Sequence, residues 1–137
     1  MKAQQETYEF DIIIIGAGIV GLAIAHELSN QYEKILLIEK ESTFGRHISS
    51  RNSEVIHSGI YYKPNSLKAK LCSEGNKLIY DFVKKYQIDH QNCGKIIIAS
   101  EKNDETKLES LMQNGQLNGV QDMRLLTAKE VQRQEPL

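Results

Sequence analysis

Gly16, Gly18 and Gly21, followed at a distance by Glu39, are the residues whose types and spacing first suggest chemistry in this chain. Glycines in Gly-x-Gly-x-x-Gly order make a backbone that can pass close to a pyrophosphate. Gly16 allows a sharp turn, Gly18 admits the ligand, and Gly21 lets the next helix lie tight against a sheet. The first N–H groups of that helix, those of Ile19, Val20 and Gly21, have no partners within it, and the dipole at that end favours an anion. Glu39 stands 18 positions beyond Gly21, near the roughly 20-residue spacing of an acid that accepts hydrogen bonds from a ribose 2′-OH. The chemistry is the holding of a dinucleotide, and an acid at this position argues against a 2′-phosphate and so against NADP.

These residues require a strand, a helix and a second strand to position them, and the flanking sequence has that pattern. Ile12-Ile13-Ile14-Ile15 is β-branched and apolar on both faces, the signature of a strand covered on each side in a parallel sheet. Residues 19–28 suit a helix, Tyr32-Glu33-Lys34 a connection, and Ile35-Leu36-Leu37-Ile38 a second buried strand that delivers Glu39 and Lys40. The fold class is α/β, with a Rossmann-like βαβ unit.

Beyond Lys40 the pattern changes. Residues 40–53 are polar, rich in hydroxyls and without periodicity; a loop this long directly after a cofactor strand is usually functional. Lys63-Pro64-Asn65-Ser66 reads as a turn, with Asn65 or Ser66 as N-cap. Leu67, Leu71, Leu78, Ile79, Phe82 and Tyr86 then recur at helical spacing and predict a long amphipathic helix. Gly75 falls on that apolar stripe, where a tight crossing would justify it. A third strand is expected over Gly94–Ala99, a helix from Asp104 to Gln116 that ends near Asn118-Gly119, and a brief strand over Met123–Leu126. Thr127-Ala128-Lys129-Glu130 has the form of a capping box at the start of a last helix.

With 17 basic and 18 acidic residues in 137, the chain carries no charge excess that would draw nucleic acid or an anionic membrane. Its two cysteines, Cys72 and Cys93, are too far apart for a CxxC pair, and both read as small packed thiols in a reducing compartment. The first ten residues contain no apolar signal core. The expected location is cytoplasmic, with attachment to the periphery of the inner membrane compatible with the sequence. No metal constellation is visible.

Two further segments narrow the class. Arg51-Asn52-Ser53-Glu54-Val55-Ile56-His57-Ser58-Gly59-Ile60-Tyr61-Tyr62, then Ser66-Leu67-Lys68-Ala69-Lys70-Leu71-Cys72 and Glu74-Gly75, resemble the FAD-dependent D-amino-acid-oxidase superfamily. Within it the likeness is to the L-2-hydroxyglutarate oxidase and dehydrogenase group, which Asn92-Cys93-Gly94-Lys95 and Glu135-Pro136 also resemble. The resemblance implies FAD as the dinucleotide, with its diphosphate at Gly16, Gly18 and Gly21 and its adenosine ribose at Glu39. It also implies that Ser49, Ser50, Arg51, Asn52 and Ser53 lie along the diphosphate and ring side and that His57 sits near the isoalloxazine. Many relatives have glycine where this chain has Ser50, a departure that bears on the local loop path.

The implied reaction is oxidation of an L-2-hydroxy acid, with 2-hydroxyglutarate the expected substrate, and electrons passing to oxygen or a quinone. A hydride leaves C2 for the flavin while a base takes the hydroxyl proton. His57 is the candidate base or a flavin-site ligand, since an imidazole titrates near working pH. Arg51 could neutralise a phosphate or a substrate carboxylate or be simply solvated, and Tyr61 and Tyr62 could line a pocket or a core. His26, His47 and His90 read as surface residues.

The same resemblance implies an incomplete unit. A tail over residues 1–9 is followed by the N-terminal part of an FAD-binding domain over 10–90 and the beginning of a mixed α+β substrate domain over 91–137. By itself such a chain is expected to bind FAD weakly and turn over nothing. The alternatives are another oxidase of the superfamily, acting on an amino acid or glycerol 3-phosphate, and a truncated binding module without catalysis.

Overall fold

A computed structural model describes residues 7–136, so most of the tail expected over 1–9 lies outside the described residues, as does Leu137. The described chain packs as two compact units, one ending at Val55 and one beginning at Ile56.

In the first unit, β1 (Ile12–Ile15) and β2 (Ile35–Ile38) pair in parallel, Ile12 beside Ile35 and Ile15 beside Ile38, with α1 (Ile19–Leu28) as the crossover. The Asp11 and Ile12 N–H groups both donate to the Lys34 carbonyl at 2.9 and 3.3 Å, which starts the two strands level. Side chains alternate between faces along a strand. Ile14 turns toward α1 and is only 8% exposed, whereas Ile15 points the other way and is 86% exposed. A single crossover helix covers one face; on the other, Ile13, Ile15 and Ile38 are exposed and Leu36 is partly covered, so within the described residues the strand is not buried on both sides.

In the second unit, α2 (Leu67–Lys85) begins at Ser66, whose Oγ accepts from the Ala69 N–H at 3.1 Å. The helix is where the periodicity placed it, but it packs by its other side. Its buried residues are Ala69 and Val83, with Cys72, Ser73, Asn76 and Tyr80 partly covered between them on the same face. The larger apolar stripe stays outside, with Leu78 67% exposed. Gly75 lies on that outer stripe, and a Cβ there would meet nothing within 4 Å. No tight crossing exists at this point among the described residues. Gly75→Ala is accordingly expected to stabilise the unit by about 1 kcal/mol through helix propensity alone, measured as a higher urea midpoint of the chain.

Close approach occurs at Gly59 and Gly115 instead. Gly59 has φ +92° and lies against the first turns of α2, and a Cβ on Gly115 would meet Met123 Sδ at 2.6 Å and Ile60 Cγ1 at 3.1 Å. Gly115 belongs to α3 (Lys102–Leu117), which runs slightly beyond the expected ends. It closes at Asn118-Gly119, where Gly119 takes φ +74° and the Val120 N–H returns to the Gly115 carbonyl at 2.9 Å, the Schellman arrangement that satisfies the last carbonyls. α4 (Ala128–Gln134) starts with the expected capping box: Thr127 Oγ1 accepts from the Glu130 N–H, and Glu130 Oε2 accepts from the Thr127 N–H at 2.7 Å.

Two expected strands are absent. Gly94–Ala99 and Met123–Leu126 are not strands, because a strand needs a ladder partner and the described residues provide none. Cys93 is exposed rather than packed. Among the described residues no helix is long and apolar enough to cross a membrane, and no group of three or more His, Cys, Asp or Glu could hold a metal ion.

Candidate dinucleotide site

The site in the first unit grows out of the end of β1. Gly16 takes φ +102°, the left-handed region that favours glycine, and its N–H donates to the Ile38 carbonyl at 2.7 Å. The chain can then turn into α1, whose N-cap is Gly18. Gly21 closes the packing: a Cβ there would run into the Gly16 carbonyl oxygen and stand 3.5 Å from Ile14 Cγ2. Gly16 thus answers a conformational demand and Gly21 a steric one, while at Gly18 a Cβ would come within 3.1 Å of the Ser49 Oγ side-chain end.

Glu39, at the end of β2, reaches back to this turn. Its Oε2 accepts from the Ala17 N–H at 2.7 Å and its Oε1 from the Glu41 N–H at 3.0 Å. The Glu41 N–H and then the Ala17 N–H hold its carboxyl below the ordinary value of 4.5, against an opposing contribution from partial burial, with Lys40 adding a small attraction. Each oxygen keeps a further acceptor position, so the two backbone bonds fix the carboxylate's direction and leave it able to accept a hydroxyl.

Such a depressed carboxyl stabilises the fold fully above pH 4.5 and loses that contribution as pH falls through its lower folded-state value. The stability difference between this chain and Glu39→Gln, read from urea unfolding, is expected to be constant above pH 4.5 and to close below it. A difference that stays unchanged into the acid range would remove the role given to these bonds.

The 40–53 loop folds back over the same turn. The Gly45 N–H donates to the Ala17 carbonyl at 2.8 Å, and the Ile19 N–H, the first of α1, donates to Ser49 Oγ at 2.9 Å. Ser49 lies on a short 3-10 turn, His47–Ser50, whose start is tied down by a 2.8 Å contact between His47 Nε2 and Glu41 Oε1. Ser50 has no left-handed φ and its hydroxyl donates to the His47 carbonyl at 3.1 Å, so a serine suits the path of the loop here. Asn52 accepts from the Glu54 N–H at 2.8 Å and donates to the Ser49 carbonyl at 3.1 Å. Val20, Lys40, Arg51 and Ser53 are exposed; Lys40 lies 3.7 Å from Glu41.

The structure thus brings Gly16, Gly18, Ile19, Gly21, Glu39 and Ser49 together. His57 belongs to the second unit, where its side chain is exposed and its carbonyl accepts from Asn76 Nδ2 at 3.1 Å. Sequence reasoning missed Ala17, Glu41, Gly45 and His47 as parts of the turn's framework. Gly45, with φ +69°, is the signal that could have marked the fold-back.

A parallel βαβ unit with this glycine turn, and an acid fixed at the end of the second strand, defines a dinucleotide-binding protein of the Rossmann type. Residues 11–137 match the FAD dependent oxidoreductase family, and the chain belongs to that family. It is 50% identical over 123 residues to the mitochondrial L-2-hydroxyglutarate dehydrogenase of Dictyostelium discoideum, covering 88% of this chain and 28% of that protein. Identity to the human protein of the same name is 43% over 132 residues, 95% of this chain and 28% of that one. Among solved structures, the dithionite-reduced L-alpha-glycerophosphate oxidase of Mycoplasma pneumoniae with FAD bound matches with a TM-score of 0.74 at 34% identity, over 90% of this chain and 33% of that chain. The chain therefore spans between 28% and 33% of the length of these relatives.

Proposed function

We propose that this chain supplies the FAD-binding N-terminal part of an oxidoreductase that oxidises an L-2-hydroxy acid, L-2-hydroxyglutarate being converted to 2-oxoglutarate. The observation that carries the substrate is the 50% identity to a protein named for it. The cradle supports the cofactor, because the packing that a Cβ at Gly21 would break and the anchored Glu39 suit a diphosphate and a ribose.

In this reading the amides of Ile19, Val20 and Gly21 face the diphosphate, and Ile19 gives up or shares its bond to Ser49. Glu39, with Lys40 beside it, receives the adenosine ribose. The loop of Ser49, Ser50, Arg51, Asn52 and Ser53 runs along the diphosphate and ring side, and His57 takes the substrate hydroxyl proton or holds the flavin site. FAD supplies the hydride acceptor. The domain reading stays with 10–90 as part of the FAD-binding domain and 91–137 as the opening of the substrate domain. Oxygen or a quinone takes the electrons, in a cytoplasmic enzyme peripheral to the inner membrane or in the mitochondrion after which the relatives are named. The glycerophosphate oxidase likeness favours one alternative substrate, glycerol 3-phosphate.

The test is the visible spectrum of a longer protein carrying this sequence. An oxidised-flavin band that bleaches with L-2-hydroxyglutarate and persists with glycerol 3-phosphate is the expected result. Bleaching by glycerol 3-phosphate alone would replace the substrate, and no band would remove the cofactor.

A further inference from the structure

In the second unit the segment from His57 to Tyr62 is held almost entirely by its carbonyls, and the groups that hold it are side chains of two helices. From α3, Asn114 Nδ2 donates to the Ile60 carbonyl at 2.6 Å and the Tyr62 carbonyl at 2.9 Å. One helical turn later, Asn118 Nδ2 donates to the Gly59 carbonyl at 2.9 Å and the Tyr62 carbonyl at 2.7 Å. From α2, Asn76 Nδ2 and Cys72 Sγ donate to the His57 carbonyl at 3.1 and 3.5 Å. The segment closes on itself as a turn, the Tyr62 N–H reaching the Gly59 carbonyl at 3.2 Å. Gly59 and Gly115, both buried, allow the approach of the helices.

The chemistry of this arrangement is selective. Asn114 and Asn118 are partly buried, they lie 52 to 59 positions from their acceptors, and each spends both of its donors on one turn. A turn that needed only to be covered could be packed with apolar side chains. Here its backbone is fixed in register while the side chains of His57 and Tyr61 stay exposed. That is how a rigid scaffold presents reactive side chains on a loop.

We propose that Asn114 and Asn118 are positioning residues, which clamp the Gly59–Tyr62 turn to α3 and thereby set the place and orientation of His57. The proposal rests on the reading of His57 as base or flavin-site ligand. The test uses Asn114→Ala and Asn118→Ala, each of which deletes two of the four bonds, in the 137-residue chain. The imidazole Cε1–H resonance of His57 is followed by NMR at one fixed pH. It is expected to shift and broaden in both variants while the resonances of His26 and His47 stay in place. A His57 resonance unmoved in both folded variants would overturn the proposal. Should either variant lose its helical circular dichroism, the near-isosteric Asn114→Leu and Asn118→Leu, which keep the bulk and lose the same donors, serve with the same readout and the same two outcomes.

A second arm separates this idea from the reading beneath it. In a flavin-loaded longer protein carrying the sequence, the asparagine variants are expected to lose on the order of 10²-fold in kcat with KM little changed, the cost of misplacing a reacting group. A loss confined to KM would overturn the proposal. If the NMR signature moves but His57→Ala leaves turnover intact, the clamp stands and the catalytic reading of His57 falls.

Discussion

Gly21→Ala is expected to abolish flavin retention and to destabilise the first unit by about 3 kcal/mol, the upper end of the usual cost of overpacking. The added Cβ is directed at the Gly16 carbonyl oxygen. That obstacle is backbone and cannot swing aside as a side-chain end would. To relieve it, α1 must move off β1, which uncovers Ile14 and displaces the amides proposed to face the diphosphate. Urea unfolding of the chain reports the first effect, and the flavin band of a longer protein carrying the sequence reports the second. Gly75→Ala is the internal control, a glycine-to-alanine change in a helix with open space around it. Equal behaviour of the two variants would show that the turn at Gly16 does not depend on close packing.

On the proposed function, His57→Ala in a longer protein carrying the sequence is expected to lower turnover of L-2-hydroxyglutarate by about 10²- to 10⁴-fold, the range that a positioned acid or base contributes. The flavin band itself should remain, because the glycine turn and Glu39, proposed above to hold the nucleotide, lie in the first unit. Anaerobic bleaching of the flavin by substrate is the measurement, since it isolates the reductive step from whatever takes the electrons afterwards. A band that vanishes with the histidine would make His57 a cofactor ligand instead of a base. Unchanged bleaching would leave it neither.

The parts of this molecule that were legible in the sequence are those that a local rule dictates. Gly16 and Gly21 follow from a φ of +102° and a blocked Cβ. Ser66 and the Thr127–Glu130 pair are helix caps whose partners lie three residues away. Asn118-Gly119 ends α3 because glycine accepts the left-handed conformation the stop requires. Spacing singled out Glu39, and the structure gives its oxygens to the Ala17 and Glu41 N–H groups.

What was not legible depends on pairings distant in the chain. The Ser49 contact with Ile19 spans 30 positions, and the asparagine clamp spans more than 50; a single side chain meeting a single backbone group leaves no periodic trace. α2 shows a different failure. Its large apolar residues marked a helix correctly, yet the face with Ala69, Ser73 and Asn76 is the one used. Small and polar side chains let Gly59 approach and reach its neighbours' carbonyls, which the bulkier stripe could not do. The segment Gly94–Ala99 has strand-like residues, but strand formation is a property of two segments and only one is described.

The fold-back of the 40–53 loop has a consequence in time. Every hydrogen bond described for the glycine turn, from Gly45 to Ala17, from Ala17 to Glu39 and from Ile19 to Ser49, is made within the first unit. At roughly 5–20 residues per second, a ribosome that has finished this unit is still occupied for several seconds with the stretch from Ile56 to Leu137. The nascent chain can close its cradle, and offer it to a circulating nucleotide, before α3 has been made and its Asn114 and Asn118 can hold the Gly59–Tyr62 turn.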